Sequence, residues 1–254
     1  MKAQPESTHR YDTIGTSYTR TRQPDPRVEA LLLAALDGAE RIVNIGAGAG
    51  SYEPPGRTLV AVEPSPTMIA QRPSGAAPAV RAFAESLPFR DATFDAALAI
   101  FTVHHWVDTQ RGLRELARVA ARQVILSYDA IVEDGFWLVD DYFPEIAMLD
   151  NENRGYTSQE IGRVLAVRDV VTVPVPADCI DGFMACYWNR PEAYVDPDVQ
   201  AGISGLARLP ADVRERGTAR LRSDLASGAW DARYGHLRAM TEIDVGYRII
   251  VAGS

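Results

Sequence analysis

The stretch RIVNIGAGAGSYEPPGRTLVAVEPS, residues 41–65, decides the fold of this chain. Two apolar runs of strand length, residues 41–45 and 58–62, enclose a turn with glycine at positions 46, 48 and 50. Glycines directly after a buried strand let the backbone turn sharply and let a ligand approach without meeting a Cβ atom. The same glycines would suit a tight turn with no ligand, so the turn alone does not identify a binding site.

The residues after the turn argue against a dinucleotide. A dinucleotide site has a third glycine and a full helix, because the pyrophosphate is held by the N–H groups at the N-terminus of that helix. Here Ser51 stands in place of the third glycine, and Pro54, Pro55 and Gly56 leave room for no more than one helical turn. A ligand without a pyrophosphate, such as S-adenosylmethionine, is therefore favoured over a nicotinamide cofactor.

The strand after the turn ends at Glu63, whose carboxylate could accept hydrogen bonds from both hydroxyls of a ribose. Ser65 as N-cap and Pro66 at the first helical position predict a helix over residues 65–72. Met68, one turn into that helix, has the shape and polarisability to lie against an adenine. An ordinary acid at a strand end and a core methionine are the alternatives.

Between residues 28 and 128, apolar runs of strand length alternate with helix-capable segments, which is typical of an α/β fold with a parallel sheet. The predicted strands are 41–45, 58–62, 80–84, 94–101 and 123–128, and the predicted helices are 27–37, 65–72 and 108–120.

After Tyr128 the alternation stops, and aromatic-rich helical segments follow, among them 135–149 and 157–166, the latter with a capping box. The late runs 169–175 and 243–252 are predicted to complete the same sheet. We expect a single domain over 1–254, in which a cap covers the site. Its parts are an N-terminal segment over the cofactor (1–27), a cofactor-binding core (28–128), helical cap segments (129–168 and 177–240) and a last strand (241–254).

Three motifs in this order, VNIGAGAG, AVEPSPTMIAQ and AESLPFRDATFDAALAIFTVHHWVD, resemble the class I S-adenosylmethionine-dependent methyltransferases, in the branch of small-molecule enzymes similar to the ubiquinone-pathway methylases. The resemblance runs from about residue 11 to 128. It implies a Rossmann-like, doubly wound seven-stranded sheet that is mostly parallel with a reversed last strand, and S-adenosyl-L-methionine as the cofactor. The cofactor-binding residues that it implies are Gly46, Ala47, Gly48, Glu63, Pro64, Met68, Ala84, Glu85, Phe101, Thr102, Tyr11 and Arg22.

The sequence departs from the family at two further positions. Asn44 stands where an acid is usual near the amino end of the cofactor, and Phe83 replaces an acid that often holds the adenine amino group. The ribose anchor at Glu63 is unaffected by either change.

Methyl transfer from a sulfonium is an in-line displacement, which an enzyme can accelerate by positioning the reactants and excluding water. If the acceptor must lose a proton, histidine suits the role of base near neutral pH. His104 and His105 directly follow the fourth strand, at the end of the sheet where ligands bind. We therefore name both as candidate catalytic residues; packing, or capping of the next helix, is the alternative.

The N-terminal segment supplies further candidates, because in the family it folds over the cofactor. The resemblance places Tyr18 beside the methyl group, as a third catalytic candidate, and pairs Arg22 with a carboxylate of cofactor or substrate. A solvated N-terminus is the alternative.

Composition restricts the partners. The net charge of −8 argues against nucleic acid, and no apolar run approaches the roughly 20 residues of a membrane span, so we expect a cytoplasmic protein. Cys179 and Cys186 fit neither a zinc site nor a disulfide framework, and no metal is expected. Seven aromatic residues in the cap (Phe136, Trp137, Tyr142, Phe143, Tyr187, Trp188 and Trp230) would pack with one another, and a few could line a substrate chamber.

The sequence thus predicts a methyltransferase, monomer or homodimer, that acts on a small, aromatic or hydrophobic acceptor. The competing hypothesis is a protein that binds the same cofactor and catalyses a rearrangement or cyclisation without methyl transfer.

Overall fold

The computed structural model describes residues 22–129, 135–149 and 156–253, which build a seven-stranded sheet flanked by helices. The strands are β1 (Arg41–Ile45), β2 (Thr58–Val62), β3 (Ala79–Val80), β4 (Phe94–Ile100), β5 (Ala120–Tyr128), β6 (Val167–Thr172), β7 (Val175–Pro176), β8 (Glu242–Ile243) and β9 (Tyr247–Gly253). The helices are α1 (Pro26–Leu36), α2 (Pro66–Ala70), α3 (Thr109–Val119), α4 (Ile146–Leu149), α5 (Ser158–Ile161), α6 (Pro197–Gly202), α7 (Ser204–Ala207), α8 (Ala211–Ser227) and α9 (Ala229–Tyr234).

The seven strands lie in the order β3-β2-β1-β4-β5-β9-β6. Strands β1 to β5 are parallel, and β9 is antiparallel to both of its neighbours. The strand order reverses between β1 and β4, and in such a sheet the carboxyl ends of these strands open a crevice. The predicted Rossmann-like sheet with a reversed last strand is confirmed.

The third strand is shorter than predicted. The prediction of a strand over 80–84 is wrong, because β3 contains only Ala79 and Val80, which pair with the last two residues of β2. Beyond β2 the chain continues into Pro64, which has no N–H to extend a ladder.

The late runs 169–175 and 243–252 each divide in two. Pro174 separates β6 from β7, and a turn at Gly246, with φ 92°, separates β8 from β9. The short strands β7 and β8 pair with each other in a separate two-stranded sheet. The strands β6 and β9 join the main sheet as predicted.

The helices of the first half begin where the capping residues predict. Ser65 caps α2 with Pro66 at its first position, and Asp108 caps α3 by accepting from the Arg111 amide at 2.9 Å. The predicted capping box of Thr157 opens α5, although that helix ends at Ile161 and not at 166.

The prediction of a helix over 135–149 is wrong. The stretch contains a π-helical turn, Leu138–Tyr142, and then α4, with Pro144 between them. The other cap residues form short elements around α8, including 3₁₀ turns at Met184–Tyr187, Pro191–Val195 and Gly235–Ala239. None of the helices in the described ranges combines the length and apolarity needed to cross a bilayer.

The cap aromatics pack among themselves. Trp137 contacts Trp230 with ring centroids 5.2 Å apart, and its indole N–H donates to the Trp188 carbonyl at 2.9 Å. All of the seven predicted cap aromatics except Tyr187 are buried, and Tyr187 packs against the same core from a partly buried position. Core packing therefore accounts for the aromatic content of the cap.

The start of α1 is tied to the cap through one carboxylate. Asp25 is fully buried and accepts from the backbone N–H of Arg27 at 3.0 Å, from the Arg27 guanidinium and from the Ile180 amide at 3.3 Å. Burial favours the neutral acid, but the hydrogen bonds from Arg27 and Ile180 outweigh it and lower the pKa of Asp25 to about 2. The ionised carboxylate of Asp25 therefore stabilises the folded state.

We expect Asp25→Asn to lower the free energy of unfolding by about 2 kcal/mol at pH 7. An acid with a lowered pKa stabilises the fold above its unfolded-state pKa near 4 and loses that effect as the pH falls towards 2. In urea denaturation, the difference from the unmodified protein should shrink between pH 4 and pH 3. A difference that stays constant over this range would contradict the assignment. Asp178→Asn, which removes the exposed partner of Arg27, is the matched control and should have a much smaller effect.

Candidate functional site

A cleft of about 970 Å³, including space open to solvent, lies at the carboxyl ends of β1, β2 and β4. The sheet topology predicts a ligand crevice at this position. Its lining includes most of the predicted cofactor residues, namely Gly46, Ala47, Gly48, Glu63, Pro64, Met68, Ala84, Glu85, Phe101, Thr102 and Arg22. Tyr11 and Tyr18 lie outside the described residues, so their roles stay predictions.

The floor of the cleft is a contact between the glycine turn and the end of β4. A Cβ atom on Gly46 would lie 1.9 Å from the Thr102 hydroxyl oxygen, and the φ of Gly46 is +64°. Both the space and the backbone conformation therefore require glycine here. At Gly48, with φ +52°, a Cβ atom would meet the end of the Met68 side chain at 3.2 Å.

Glu63 is held in place by the backbone. Its carboxylate accepts from the Gly48 amide at 2.8 Å through one oxygen and from the Ser65 amide at 2.9 Å through the other. The side chain is buried, yet it lines the cleft. The carboxylate thus has a fixed orientation at the end of β2, where the sequence analysis placed the ribose anchor.

Beneath the turn lies a partly buried ion pair that the sequence analysis did not identify. Arg72 donates to both carboxylate oxygens of Glu53, at 2.8 and 2.7 Å, and also to the Gly48 carbonyl at 3.3 Å. Glu53 accepts in addition from the side-chain amide of Asn44 at 3.3 Å. The proline-interrupted segment therefore brings a carboxylate beside Asn44, at the position where the family usually has an acid.

Asn44 also carries a buried acceptor beside the cleft. It lines the cleft, and its Oδ1 atom is buried without a hydrogen-bond partner among the described residues. A buried acceptor without a donor costs free energy, so this atom suits a ligand that carries N–H groups. The ammonium group of S-adenosylmethionine is such a donor, and in this respect the residues fit the cofactor that the sequence implies.

At the other side of the cleft, Phe83 and Ala84 line the wall that the resemblance assigns to adenine. Glu85 also lines the cleft, and one of its oxygens accepts from the amides of Val107 and Asp108 at 2.8 and 3.2 Å. These hydrogen bonds join the wall to the segment after β4.

A second cavity of about 640 Å³, including space open to solvent, adjoins the cleft under the cap, and we call it the chamber. Three described residues, Arg22, Phe101 and His105, line both cavities. The other residues of its lining are His104, Tyr128, Phe183, Met184, Gly202, Ile203, Ser204, Gly205, Arg208 and Tyr247. None of the seven cap aromatics predicted from the sequence lines either cavity.

Phe101 forms the boundary between the two cavities. Its φ of +49° is unusual for a residue with a bulky side chain, and such conformations are commonly found at functional sites. Its ring contacts Phe183 and Tyr247 at centroid distances of 5.6 and 5.4 Å, and those two rings are 4.9 Å apart. Phe101 thus lines both cavities and packs against two rings that line only the chamber.

The two histidines lie at this boundary in a 3₁₀ turn, Val103–His105. Their rings are 3.8 Å apart, and the ring of His104 also lies 5.4 Å from that of Tyr128. His104 lines only the chamber, whereas His105 lines both cavities. The alternative that a histidine caps the next helix is wrong, because Asp108 provides that cap.

Arg22 lies over the ring of Phe101, with 5.7 Å between its guanidinium carbon and the ring centroid. It forms an ion pair with Asp181 of the cap through two guanidinium nitrogens. The carboxylate of Asp181 also accepts a hydrogen bond from the Tyr52 hydroxyl at 2.8 Å. A pairing of Arg22 with a carboxylate of cofactor or substrate stays a prediction. No pattern in the sequence indicates the partners Tyr52 and Asp181, which are 129 positions apart.

Comparison with known proteins gives consistent results. A family model described as a methyltransferase domain matches residues 43–127. An uncharacterized methyltransferase of Mycobacterium tuberculosis (strain ATCC 25618 / H37Rv) is 30% identical over 223 residues, which cover 82% of this chain and 81% of that protein.

Solved structures show the same relationship. A candidate methyltransferase from an antibiotic biosynthesis pathway of Anabaena variabilis ATCC 29413 is similar with a TM-score of 0.81 and 30% identity, over 92% of this chain and 99% of that one. Geranyl diphosphate C-methyltransferase from Streptomyces coelicolor A3(2), solved with S-adenosyl-L-homocysteine, has a TM-score of 0.51 and 14% identity over 90% of this chain and 78% of that one. The second likeness shows a shared fold.

We expect Arg72→Met to destabilise the protein by roughly 1–3 kcal/mol, because it leaves the partly buried carboxylate of Glu53 without its charge partner. The double variant Arg72→Met/Glu53→Gln should be more stable than Arg72→Met alone. Urea denaturation measures both. Arg41→Ala, which breaks the exposed pair with Asp95, is the control and should change little. A double variant no more stable than the single one would show that the buried charge is not the cause.

Proposed function

This chain belongs to the class I S-adenosylmethionine-dependent methyltransferases, and we propose that it transfers a methyl group to a small organic acceptor held in the chamber beside the cofactor cleft. The observation that carries the proposal is the adjacency of the two cavities, which share Arg22, Phe101 and His105. In an in-line displacement, the attacking atom of the acceptor must reach the methyl group of the cofactor. Two adjoining cavities allow the two ligands to meet in this way.

The cofactor is S-adenosylmethionine, which when bound supplies an electrophilic methyl group on sulfur. In our proposal Glu63 binds the ribose hydroxyls, because its carboxylate lines the cleft in an orientation fixed by two backbone amides. Asn44 accepts from the ammonium group through Oδ1. The bare backbone of Gly46 admits the ligand close to the end of β1.

We propose an acceptor with an aromatic or hydrophobic body. Phe101, Phe183 and Tyr247 supply ring surface to the chamber, and Met184 and Ile203 add aliphatic surface. Ligand sites of this kind bury an apolar body and orient it with a few polar groups. The likeness to a candidate methyltransferase from an antibiotic biosynthesis pathway supports a small-molecule acceptor.

We further propose that His105 removes a proton from the acceptor. His105 lines both cavities, whereas His104 lines only the chamber. His104, whose ring centroid lies 3.8 Å from that of His105 at an interplanar angle of 54°, would position that ring or act in its place. A cytoplasmic location and a monomeric or dimeric state stay predictions from the sequence.

The function is tested by incubating the protein with S-adenosylmethionine that carries a labelled methyl group and a panel of phenols and other small aromatic acceptors. Formation of a labelled product together with S-adenosylhomocysteine supports the proposal. Turnover of an acceptor without S-adenosylhomocysteine would instead support a rearrangement or cyclisation. Calorimetry with S-adenosylhomocysteine and, in parallel, NADH tests the choice of cofactor directly.

We expect Glu63→Ala to weaken binding of S-adenosylhomocysteine by roughly 1.5–3 kcal/mol, or about 10- to 150-fold, the range for hydrogen bonds to a charged group. Isothermal titration calorimetry measures the effect. Glu63→Gln, which keeps one acceptor oxygen, should lose less. The substitution also removes two hydrogen bonds from backbone amides, so circular dichroism should check that the variant is folded. Unchanged affinity in Glu63→Ala would exclude the ribose assignment.

We expect His105→Gln to lower the rate of labelled methyl transfer by roughly 100- to 10,000-fold, the usual contribution of a general base. Its affinity for S-adenosylhomocysteine should change far less. His104→Gln is the paired variant and should have the smaller effect, since His104 does not line the cleft. If both variants keep full activity, neither histidine is the base.

A further inference from the structure

The carboxylate of Asp181 joins three segments that are distant in sequence. It accepts from the Tyr52 hydroxyl at 2.8 Å and from the Nε and Nη2 atoms of Arg22. Tyr52 belongs to the segment after the glycine turn, Arg22 precedes α1, and Asp181 lies in the cap. The side chain of Asp181 is 1% exposed, so these contacts are made away from solvent.

A buried carboxylate is costly unless charge and hydrogen bonds compensate for it. Here Arg22 supplies the charge, and Tyr52 supplies a neutral donor. Burial, followed by the nearby charge of Asp181, raises the pKa of Tyr52 above its usual value, so that the hydroxyl keeps its proton. The three side chains therefore form one unit, and a shift of one of them breaks hydrogen bonds of the others.

One end of this unit is attached to the cofactor cleft. Tyr52 follows Ser51, which lines the cleft, and stands two positions after Gly50. Its φ of +60° is rare for a residue with a large side chain and fixes the direction in which the ring leaves the turn. The hydroxyl is thus located by the conformation of the glycine turn together with the Asp25 amide at the start of α1, which donates to it at 3.1 Å.

The other end is attached to the chamber. Arg22 lines both cavities and lies over the ring of Phe101. Asp181 is two positions before Phe183, which lines the chamber. The same carboxylate is therefore linked to the glycine turn, to the boundary between the cavities and to the cap.

We propose that Tyr52 and Asp181 are positioning residues that couple occupation of the cofactor cleft to the ordering of the cap over the chamber. The inference rests on the proposed function, because it takes S-adenosylmethionine or S-adenosylhomocysteine as the ligand of the cleft. A ligand packed against the glycine turn restricts the turn, which holds the Tyr52 hydroxyl against Asp181. Asp181 in turn holds Arg22 and the start of the cap, so each ligand should favour the binding of the other.

The test is hydrogen–deuterium exchange of the cap amides at 181–188, with and without saturating S-adenosylhomocysteine. In the unmodified protein, the ligand should slow this exchange by about 5-fold or more, the lower end of typical coupling between sites. In Tyr52→Phe most of this slowing should be lost, although calorimetry should still show S-adenosylhomocysteine binding. The ratio with and without ligand is the readout, because a purely structural loss would affect both states.

The matched control is Tyr142→Phe. Tyr142 also lies in the cap and donates to a carboxylate, that of Asp224 at 2.8 Å, but it lines neither cavity. This variant should keep the ligand-dependent slowing. Asp181→Asn, which keeps the shape and removes the charge, should lose it as Tyr52→Phe does, and circular dichroism checks that both are folded.

Two results would overturn the coupling alone, provided that S-adenosylhomocysteine binds. The first is slowing in Tyr52→Phe equal to that of the unmodified protein. The second is the absence of any slowing at 181–188 in the unmodified protein. Failure of S-adenosylhomocysteine to bind the unmodified protein would overturn the proposed function, and the coupling with it.

Discussion

The site depends on the close contact between the glycine turn and the end of β4. Gly46 lies so near Thr102 that no side chain fits between them, and this contact brings the carboxyl ends of β1 and β4 together at the point where the strand order reverses. Glu63 then binds the turn from β2 through the Gly48 amide. The cleft is therefore formed by backbone packing, with a carboxylate built into its wall.

The segment after the turn has a different role from the helix that a dinucleotide fold places there. Residues 46–57, all of which the structure describes, form turns and no helix. This irregular path directs two neighbouring side chains to different buried partners. Glu53 meets Arg72 and Asn44 below the turn, and Tyr52 meets Asp181 of the cap. The irregular segment that stands in place of this helix thus connects the turn both to the core and to the cap.

The sequence was sufficient for the features that local patterns determine. Strand-length apolar runs and the glycine turn predicted the sheet, and the capping residue Ser65 predicted the start of α2. The length of β3 could not be predicted in the same way, because it depends on where the neighbouring strand ends.

The lining of the two cavities was predictable to the same degree. Its residues at strand ends, such as Glu63 and His105, followed from their positions next to predicted strands, and the structure brings them to the two cavities. The contact of Tyr52 with Asp181 joins residues far apart in sequence, and no periodicity or motif encodes it. The burial of Arg22 and Asp181 adds one further property. Their pair is 8% and 1% exposed, so dissolved ions screen it weakly, whereas they screen the exposed arginine pairs of the outer shell strongly. The junction between the cavities is thereby insulated from changes in ionic strength that would loosen the periphery of the molecule.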